Sequence, residues 1–252
     1  MRLLVVNANM TQRVTDFVAE EARRAAPAGT EIVAVTGTFG PRVINTRTED
    51  AIAGHGLVTL MARHHEGCDA ALIAVSFDTG LRAAREMLPI PVVGMTEAAL
   101  FTACMVAGRI GMVTLGRRST PMYQELIEAH GVAARVAPLR PIDTAGFDVY
   151  NNPDGARAQL VEAACALVEE HGAEAVILSG AALAGRPARL QDRGPVPLID
   201  GVGCGVRMAA MLAGLGLPKP AAGSYAALPE REVTGVDPAL AAMFRPRGAA
   251  AG

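Results

Sequence analysis

Small polar residues directly follow an apolar segment in the first third of the chain, and their types suit chemistry on a carbonyl compound. Residues 70–75 have the length and composition of a strand buried on both faces, and Ser76, Phe77, Asp78 and Thr79 follow. A serine hydroxyl can act as a nucleophile or orient water, and an aspartate two residues away can act as acid or base. The alternative is structural, because Ser and Asp are also favoured caps of a following helix.

A second apolar segment repeats this arrangement about a hundred residues later. Residues 173–178 are followed by Ser179, Gly180 and Ala181. In an open parallel sheet, ligands bind beyond the carboxyl ends of the strands. We therefore expect two similar half-molecules whose strand ends face each other across a cleft.

Polar side chains also follow two other predicted strands. Asn7, Asn9 and Thr11 come after the first strand, where they can cap the next helix or donate hydrogen bonds to an anion. A Gly-Arg-Arg-Ser-Thr turn brings Arg118 and Ser119 to the start of a later helix, and such a turn can bind an anion or simply cap the helix.

One arginine lies within a loop that contains Gly and Pro, residues 37–45, and a second follows it. Arg42 and Arg47 could reach a carboxylate, but we expect both side chains to be solvated.

Composition excludes several classes of protein. The chain has 252 residues and a formal charge of −2, which argues against nucleic acid as a main partner. It contains no apolar run of 18 residues, so no membrane span is expected, and the N-terminus reads as a strand, not as a signal peptide. Four scattered cysteines predict reduced thiols in the cytoplasm, with no disulfide and no zinc site.

Predicted strands and helices alternate along the whole chain, which is typical of an α/β fold with parallel sheets. Strands are predicted at 2–6, 31–36, 70–75, 92–94, 110–115, 133–139, 175–179 and 196–199. Helices are predicted at 12–26, 48–63, 81–87, 97–106, 122–129, 156–171 and 203–215, with an irregular crossing at 141–153 that holds Phe147 and Tyr150. We expect an N-terminal lobe of residues 1–100 plus 201–225, a C-terminal lobe of residues 101–200, and a C-terminal tail of residues 226–252.

Several short motifs, taken in order, resemble the aspartate/glutamate racemase superfamily, most closely the hydantoin racemases. The matching stretches are Val6–Asn9 with Thr11, Asp78–Leu81, Ala83–Glu86, Pro91–Gly94, Glu97–Leu100, Thr114 with Arg118–Ser119, and Val196–Val202. No single motif is highly specific, but their order and spacing extend over roughly residues 2–225.

The resemblance implies two Rossmann-like lobes related by a pseudo-dyad, an active site in the cleft between them, and no cofactor. It also implies a small-molecule substrate with a carbonyl or carboxylate, and a homo-oligomer by analogy. Racemases of this superfamily use two cysteines, one from each lobe, to remove and return the proton next to a carbonyl. Small hydroxyl side chains and backbone N–H groups then hold the oxyanion.

This chain departs from that pattern at both cysteine positions. The first falls on Val75, or on Ser76 if the match is shifted by one residue, and the second falls on Gly180, next to Ser179. We therefore predict Ser76, Asp78 and Ser179 as the catalytic residues. The predicted substrate-binding residues are Asn7, Asn9, Thr11, Phe77, Thr79, Thr114, Arg118, Ser119, Gly180 and Ala181.

The predicted function is a cofactor-independent racemase or isomerase that acts next to a carbonyl or carboxylate of a hydantoin, cyclic amide or dicarboxylate, without two thiols. One alternative is a divergent amide hydrolase or decarboxylase that uses Ser76 and Asp78. A second alternative is a protein that binds a small metabolite without turning it over.

Overall fold

Two four-stranded parallel sheets form the framework of the protein. The computed structural model describes residues 1–143 and 152–245. The first sheet has the strand order β2-β1-β3-β4, and the second has the order β6-β5-β7-β8. The strands are β1 (Arg2–Asn7), β2 (Glu31–Thr36), β3 (Ala70–Ile73), β4 (Val92–Gly94), β5 (Ile110–Leu115), β6 (Arg140–Ile142), β7 (Ala175–Leu178) and β8 (Leu198–Ile199). The identical order in the two sheets confirms the predicted α/β fold built from two similar halves.

Helices alternate with these strands, as expected for parallel crossover connections. They are α1 (Gln12–Ala25), α2 (Arg47–His64), α3 (Leu81–Met87), α4 (Met95–Val106), α5 (Thr120–Ala129), α6 (Pro153–His171), α7 (Arg186–Leu190), α8 (Gly201–Leu215) and α9 (Pro238–Ala242). None of the helices in the described part of the chain is long and apolar enough to cross a membrane.

The sixth strand differs from its prediction. Residues 133–139 do not form a strand, because Ala133–Arg135 form a 3-10 turn and only Val136 makes a single bridge to Ile110. The strand β6 lies further along, at the edge of the sheet, where its Pro141 is tolerated because an edge strand can lack one N–H donor. Of the crossing predicted at 141–153, residues 144–151 lie outside the described residues, including Phe147 and Tyr150.

Helix α4 joins the two halves through its two faces. Met95 and Ala98 pack in the core of the first sheet, together with Val202 of α8. Leu100 and Ala103 pack with residues of the second sheet, such as Ile177 of β7. Because residues 95–100 of α4 are buried and contact both cores, this part of the helix connects the two sheets.

The segment after α8 packs back onto the first half. Helix α9 contacts α2, and its Leu240 is buried in the core on that side of the first sheet. Arg63 of α2 forms an ion pair with Asp237, which caps α9. The predicted tail therefore contains a short docked helix.

Candidate active site

The carboxyl ends of β3 and β7 meet between the two halves. Ser76 lies three residues beyond β3, and the Ala181 N–H donates a hydrogen bond of 3.3 Å to Ser76 Oγ. The Ser76 carbonyl accepts a hydrogen bond of 2.6 Å from Thr96 Oγ1, which holds the Ser76 backbone against α4. The two strand ends therefore face one shared space.

That space is a cavity of about 80 Å³. Apolar side chains and hydrogen-bonding groups line it together, and no lining residue carries a carboxylate. The lining residues are Asn9, Val14, Arg42, Val43, Ile44, Asn45, Val75, Ser76, Phe77, Leu115, Ser119, Tyr123, Gly180, Ala181 and Ala182. Of the residues predicted from sequence, the cavity thus brings together Asn9, Ser76, Phe77, Ser119, Gly180 and Ala181.

Tyr123 is a lining residue that the sequence reasoning missed. It lies in the first turn of α5, is buried, and packs its ring against Phe77 with centroids 4.7 Å apart. Burial raises the pKa of Tyr123, and the neighbouring Ser179 and Ser76 hydroxyls lower it by a smaller amount. One available signal was its place at the start of the helix that follows the predicted anion-binding turn, in a chain with only three tyrosines.

Ser179 lies behind the cavity wall. It is 3 % exposed and is not a lining residue. Its Oγ is close enough to Tyr123 to affect the pKa of that phenol, but it makes no hydrogen bond of normal geometry with a described residue. We therefore regard the Ser179–Tyr123 contact as a weak one. The following Gly180 has φ +143°, and a Cβ there would approach Leu115 Cδ1 to 3.0 Å.

The asparagines after β1 form a fixed network. Asn7 is fully buried and its Nδ2 donates to Thr15 Oγ1 at 3.0 Å and to Asn9 Oδ1 at 3.1 Å. Asn9 Oδ1 also accepts the Thr11 N–H at 2.9 Å, which fixes the orientation of the Asn9 amide. Asn7 therefore acts through Asn9, and only Asn9 reaches the cavity.

Thr11 holds the loop between β2 and α2. Its Oγ1 donates a hydrogen bond of 2.7 Å to the Arg42 carbonyl, and Thr11 itself does not line the cavity. This contact holds the backbone of Arg42 at the rim of the cavity, and Arg42 is exposed to solvent, as expected from the sequence. Loop conformation leaves no periodic pattern in a sequence, so only the Gly and Pro residues marked the segment as a loop.

Asp78 does not line the cavity, although its charge is close enough to raise the pKa of the lining residue Tyr123. Its carboxylate accepts hydrogen bonds from the Thr96 N–H at 3.0 Å and the Glu97 N–H at 2.7 Å, at the start of α4. Burial raises the pKa of Asp78 to about 8 against the effect of these two hydrogen bonds. The neighbouring Thr79 donates to Asp50 Oδ1 at 2.5 Å and is also outside the lining.

Of the site residues predicted at the end of β5 and in the turn after it, only Ser119 lines the cavity. Ser119 lines the cavity and donates a hydrogen bond of 3.1 Å to the Leu115 carbonyl. Thr114 is fully buried with its Oγ1 at 3.5 Å from Thr120 Oγ1, and Arg118 is exposed. Neither Thr114 nor Arg118 is a lining residue.

Thiol groups do not line the cavity, and the four free cysteines lie elsewhere in the described chain. Among the described residues, no group of three His, Cys, Asp or Glu could hold a metal ion. The acid–base groups that line this cavity are the Tyr123 phenol and the Arg42 guanidinium.

The two-lobed α/β fold and the shared cavity define an enzyme of the racemase type. The family model "Asp/Glu/Hydantoin racemase" matches residues 3–209, and the chain belongs to this family, as the sequence motifs predicted. The hydantoin racemase of Pseudomonas sp. strain NS671 is 34% identical over 217 residues, which is 86% of this chain and 87% of that protein.

Solved structures agree with this assignment. Allantoin racemase from Klebsiella pneumoniae has a TM-score of 0.91 and 31% identity, and the match covers 98% of this chain and 99% of that one. Allantoin racemase from Pseudomonas fluorescens has a TM-score of 0.90 and 31% identity, over 93% of this chain and 100% of that one. A double mutant of arylmalonate decarboxylase has a TM-score of 0.64 and 16% identity, over 87% of this chain and 95% of that one, and shares the fold alone.

Proposed function

We propose that this protein is a cofactor-independent enzyme that acts at the carbon next to a carbonyl of a small cyclic amide, of the hydantoin or allantoin type, without two thiols. The near full-length similarity to hydantoin and allantoin racemases supports this substrate class. The observation that carries the proposal is the contact between the two strand ends at Ser76 and Ala181, beside a cavity lined by hydroxyl and amide groups.

The common step is formation of an enolate, in which the electron pair of the broken bond moves onto the carbonyl oxygen. Preorganised donors stabilise that developing charge. Ser76 is suited to this role because it lines the cavity, its Oγ accepts the Ala181 N–H, and its hydroxyl is close enough to Tyr123 to lower the pKa of that phenol. Thr96 fixes the Ser76 backbone, so the donor is held in place before the substrate binds.

Tyr123 is the group that carries the proton in this proposal. As a phenolate it removes the proton from the carbon. Racemisation then needs a proton on the opposite face of the planar enolate, delivered by water or, once the enolate has turned over in the cavity, by the Tyr123 phenol. Because burial raises the pKa of Tyr123, the phenolate is scarce at neutral pH. Proton removal should therefore become faster as the pH rises into the alkaline range.

A second candidate function is decarboxylation of a malonate-type compound. Loss of CO₂ leaves its electron pair on the enolate and needs no base, and the Tyr123 phenol then protonates the carbon and is reprotonated by water. The raised pKa of Tyr123 and the lack of a lining carboxylate favour this candidate.

One experiment distinguishes these reactions. The protein is incubated in D₂O with 5-methylhydantoin, allantoin or phenylmalonate, and ¹H NMR and optical rotation are followed. Loss of the signal of the proton next to the carbonyl, together with loss of optical rotation, is the expected result. A deuterated monocarboxylate would instead show a lyase, and a ring-opened product a hydrolase. Binding without exchange or cleavage would overturn the proposal in favour of a binding protein.

The Tyr123→Phe variant tests the assignment of the proton carrier. We expect a loss of turnover of about 100-fold or more, because positioned acid–base groups typically contribute that much. Tyr225→Phe is the matched control, since Tyr225 lies outside the lining and interacts with Arg85. If both variants, folded by circular dichroism, retained wild-type rates, Tyr123 would not be the proton carrier.

A further inference from the structure

The cavity has a positively charged group in its lining that the enolate step does not use. Arg42 is the only charged side chain among the lining residues of the described chain. Arg42 is exposed, so solvent partly screens its charge, and it would hold an anion mainly through direct charge-assisted hydrogen bonds at the cavity. The positive charge of Arg42 favours a substrate that carries a negative charge.

The guanidinium of Arg42 is available for a ligand. It makes no hydrogen bond and no ion pair with any described residue, whereas Arg47, five positions later, is paired with Glu125. The backbone on which Arg42 sits is held at two points. The Met10 N–H donates to the Pro41 carbonyl at 3.0 Å, and Thr11 Oγ1 donates to the Arg42 carbonyl at 2.7 Å.

Asn9 provides a second donor at the same cavity. Its residue is only 9 % exposed, and its Oδ1 is occupied by the Thr11 N–H and by Asn7. The Asn9 Nδ2 therefore has a fixed orientation, and it makes no hydrogen bond to a described residue. Because Asn9 lines the cavity, this donor can make a hydrogen bond with an acceptor on a ligand.

We propose that Arg42 and Asn9 bind a carboxylate on the substrate, so that the enzyme prefers carboxylate-bearing cyclic amides or dicarboxylates to neutral cyclic amides. This proposal rests on the proposed function and specifies its substrate class. An arginine can hold a carboxylate through two parallel N–H···O hydrogen bonds, and the amide donor of Asn9 would fix its orientation. The group that reacts then lies beside Ser76 and Tyr123.

Paired substrates test this preference. Hydantoin-5-acetate and 5-ethylhydantoin have the same ring and side chains of similar length, but only the first carries a carboxylate. We expect wild-type kcat/KM to be higher for hydantoin-5-acetate. Arg42→Gln should lower kcat/KM for this substrate by about 10- to 100-fold, as for loss of a charged hydrogen bond, and change that for 5-ethylhydantoin by less than about twofold. Arg42→Lys should recover part of the loss.

Arg47→Gln is the matched control, because it removes the same charge nearby from a residue that does not line the cavity. It should leave the ratio of the two kcat/KM values unchanged. Equal losses on both substrates in Arg42→Gln, or no loss on either, would overturn the role of Arg42.

Direct binding separates this proposal from the proposed function. If the wild type turns over neither hydantoin, the affinity for hydantoin-5-acetate, malonate and maleate is measured by calorimetry. Weaker binding of these anions by Arg42→Gln would support the carboxylate site even without turnover. If the wild type binds none of the three at millimolar concentration, the carboxylate site does not exist.

Discussion

Asp78 shows how one residue can satisfy a catalytic pattern and serve a structural purpose. It has φ +49°, the only positive φ of a non-glycine residue in the described chain. Its carboxylate accepts two N–H groups at the start of α4, while Ser76, two residues earlier, faces the cavity. The unusual backbone conformation thus turns the two side chains in different directions. We infer that Asp78 is a positioning residue for Ser76 and α4.

The raised pKa of Asp78 predicts a pH-dependent stability. Because burial raises this pKa from 3.8 to about 8, the folded protein keeps a proton that the unfolded chain releases between those values. Stability from this group is therefore full below pH 4 and is lost as the pH rises through 8. Asp78→Asn should gain stability relative to the wild type from pH 5 to pH 8.5, by on the order of a few kcal/mol, since one pKa unit is about 1.4 kcal/mol.

Urea unfolding of both proteins across this pH range measures the difference. Glu97, Arg85 and His130 surround Asp78 and are present in both proteins, as are the other buried carboxyls, so their contributions largely cancel. Parallel stability curves for the two proteins would contradict the raised pKa of Asp78.

At the scale of elements, the contact between β4 and the loop after β3 depends on Gly94, because glycine has no side chain. A Cβ at Gly94 would lie 2.3 Å from Asp78 Cγ, so the carboxylate occupies the space that any other residue would need. Gly94 also immediately precedes α4, and its N–H lies 3.4 Å from Glu97 Oε2. The close approach of Asp78 to α4 therefore requires glycine at this position.

Two glycine substitutions should have opposite effects. Gly94→Ala should destabilise the protein by about 1–3 kcal/mol, because overpacking forces the Asp78 carboxylate from its two hydrogen bonds. Gly54→Ala, inside α2, should stabilise it by about 0.5–1 kcal/mol, because the nearest atom to its Cβ is 4.0 Å away and alanine favours a helix. Thermal unfolding of the two variants measures both signs, and a neutral Gly94→Ala would refute the packing argument.

The long elements were largely predictable from the sequence, whereas three short ones, β6, α7 and α9, were missed. Helix α1 was predicted at 12–26 and lies at Gln12–Ala25. The prediction succeeded because the apolar residues recur at the helical spacing that forms the buried face. The strand β6 was missed because an edge strand of three residues with a proline carries almost no pattern. Short apolar stretches such as 133–139 can form a strand or a turn, and tertiary contacts decide between them.

The site was predictable only where topology alone determines it. Ser76 and Gly180 lie at the cavity because carboxyl ends of parallel strands converge. Tyr123 and Arg42 reach the same cavity through the packing of α5 against Phe77 and through the contact of Thr11 with a loop. Such contacts join residues that are distant in sequence, so local patterns did not indicate them.

At the scale of the whole molecule, elements that come late in the sequence pack against the first sheet and connect the two halves. Helix α8, which follows the second sheet, packs on α1 and on β3 of the first. Lys219, just beyond α8, donates hydrogen bonds to the carbonyls of Arg85, Glu86 and Leu88 at the end of α3. These contacts connect the end of the chain to the region that carries Ser76 and Asp78.

The docked end of the chain should contribute measurably to stability. Removal of residues 226–252 deletes α9, uncovers the surface that Leu240 covers on α2, and breaks the Arg63–Asp237 ion pair. We expect a loss of at least about 2 kcal/mol in the free energy of unfolding, because burial of one leucine side chain alone is worth about 1.5–3 kcal/mol. Removal of residues 246–252 is the matched control, since it retains Leu240 and Asp237. Urea unfolding compares the two truncations with the full chain, and equal midpoints for all three would show that α9 adds nothing to the first half.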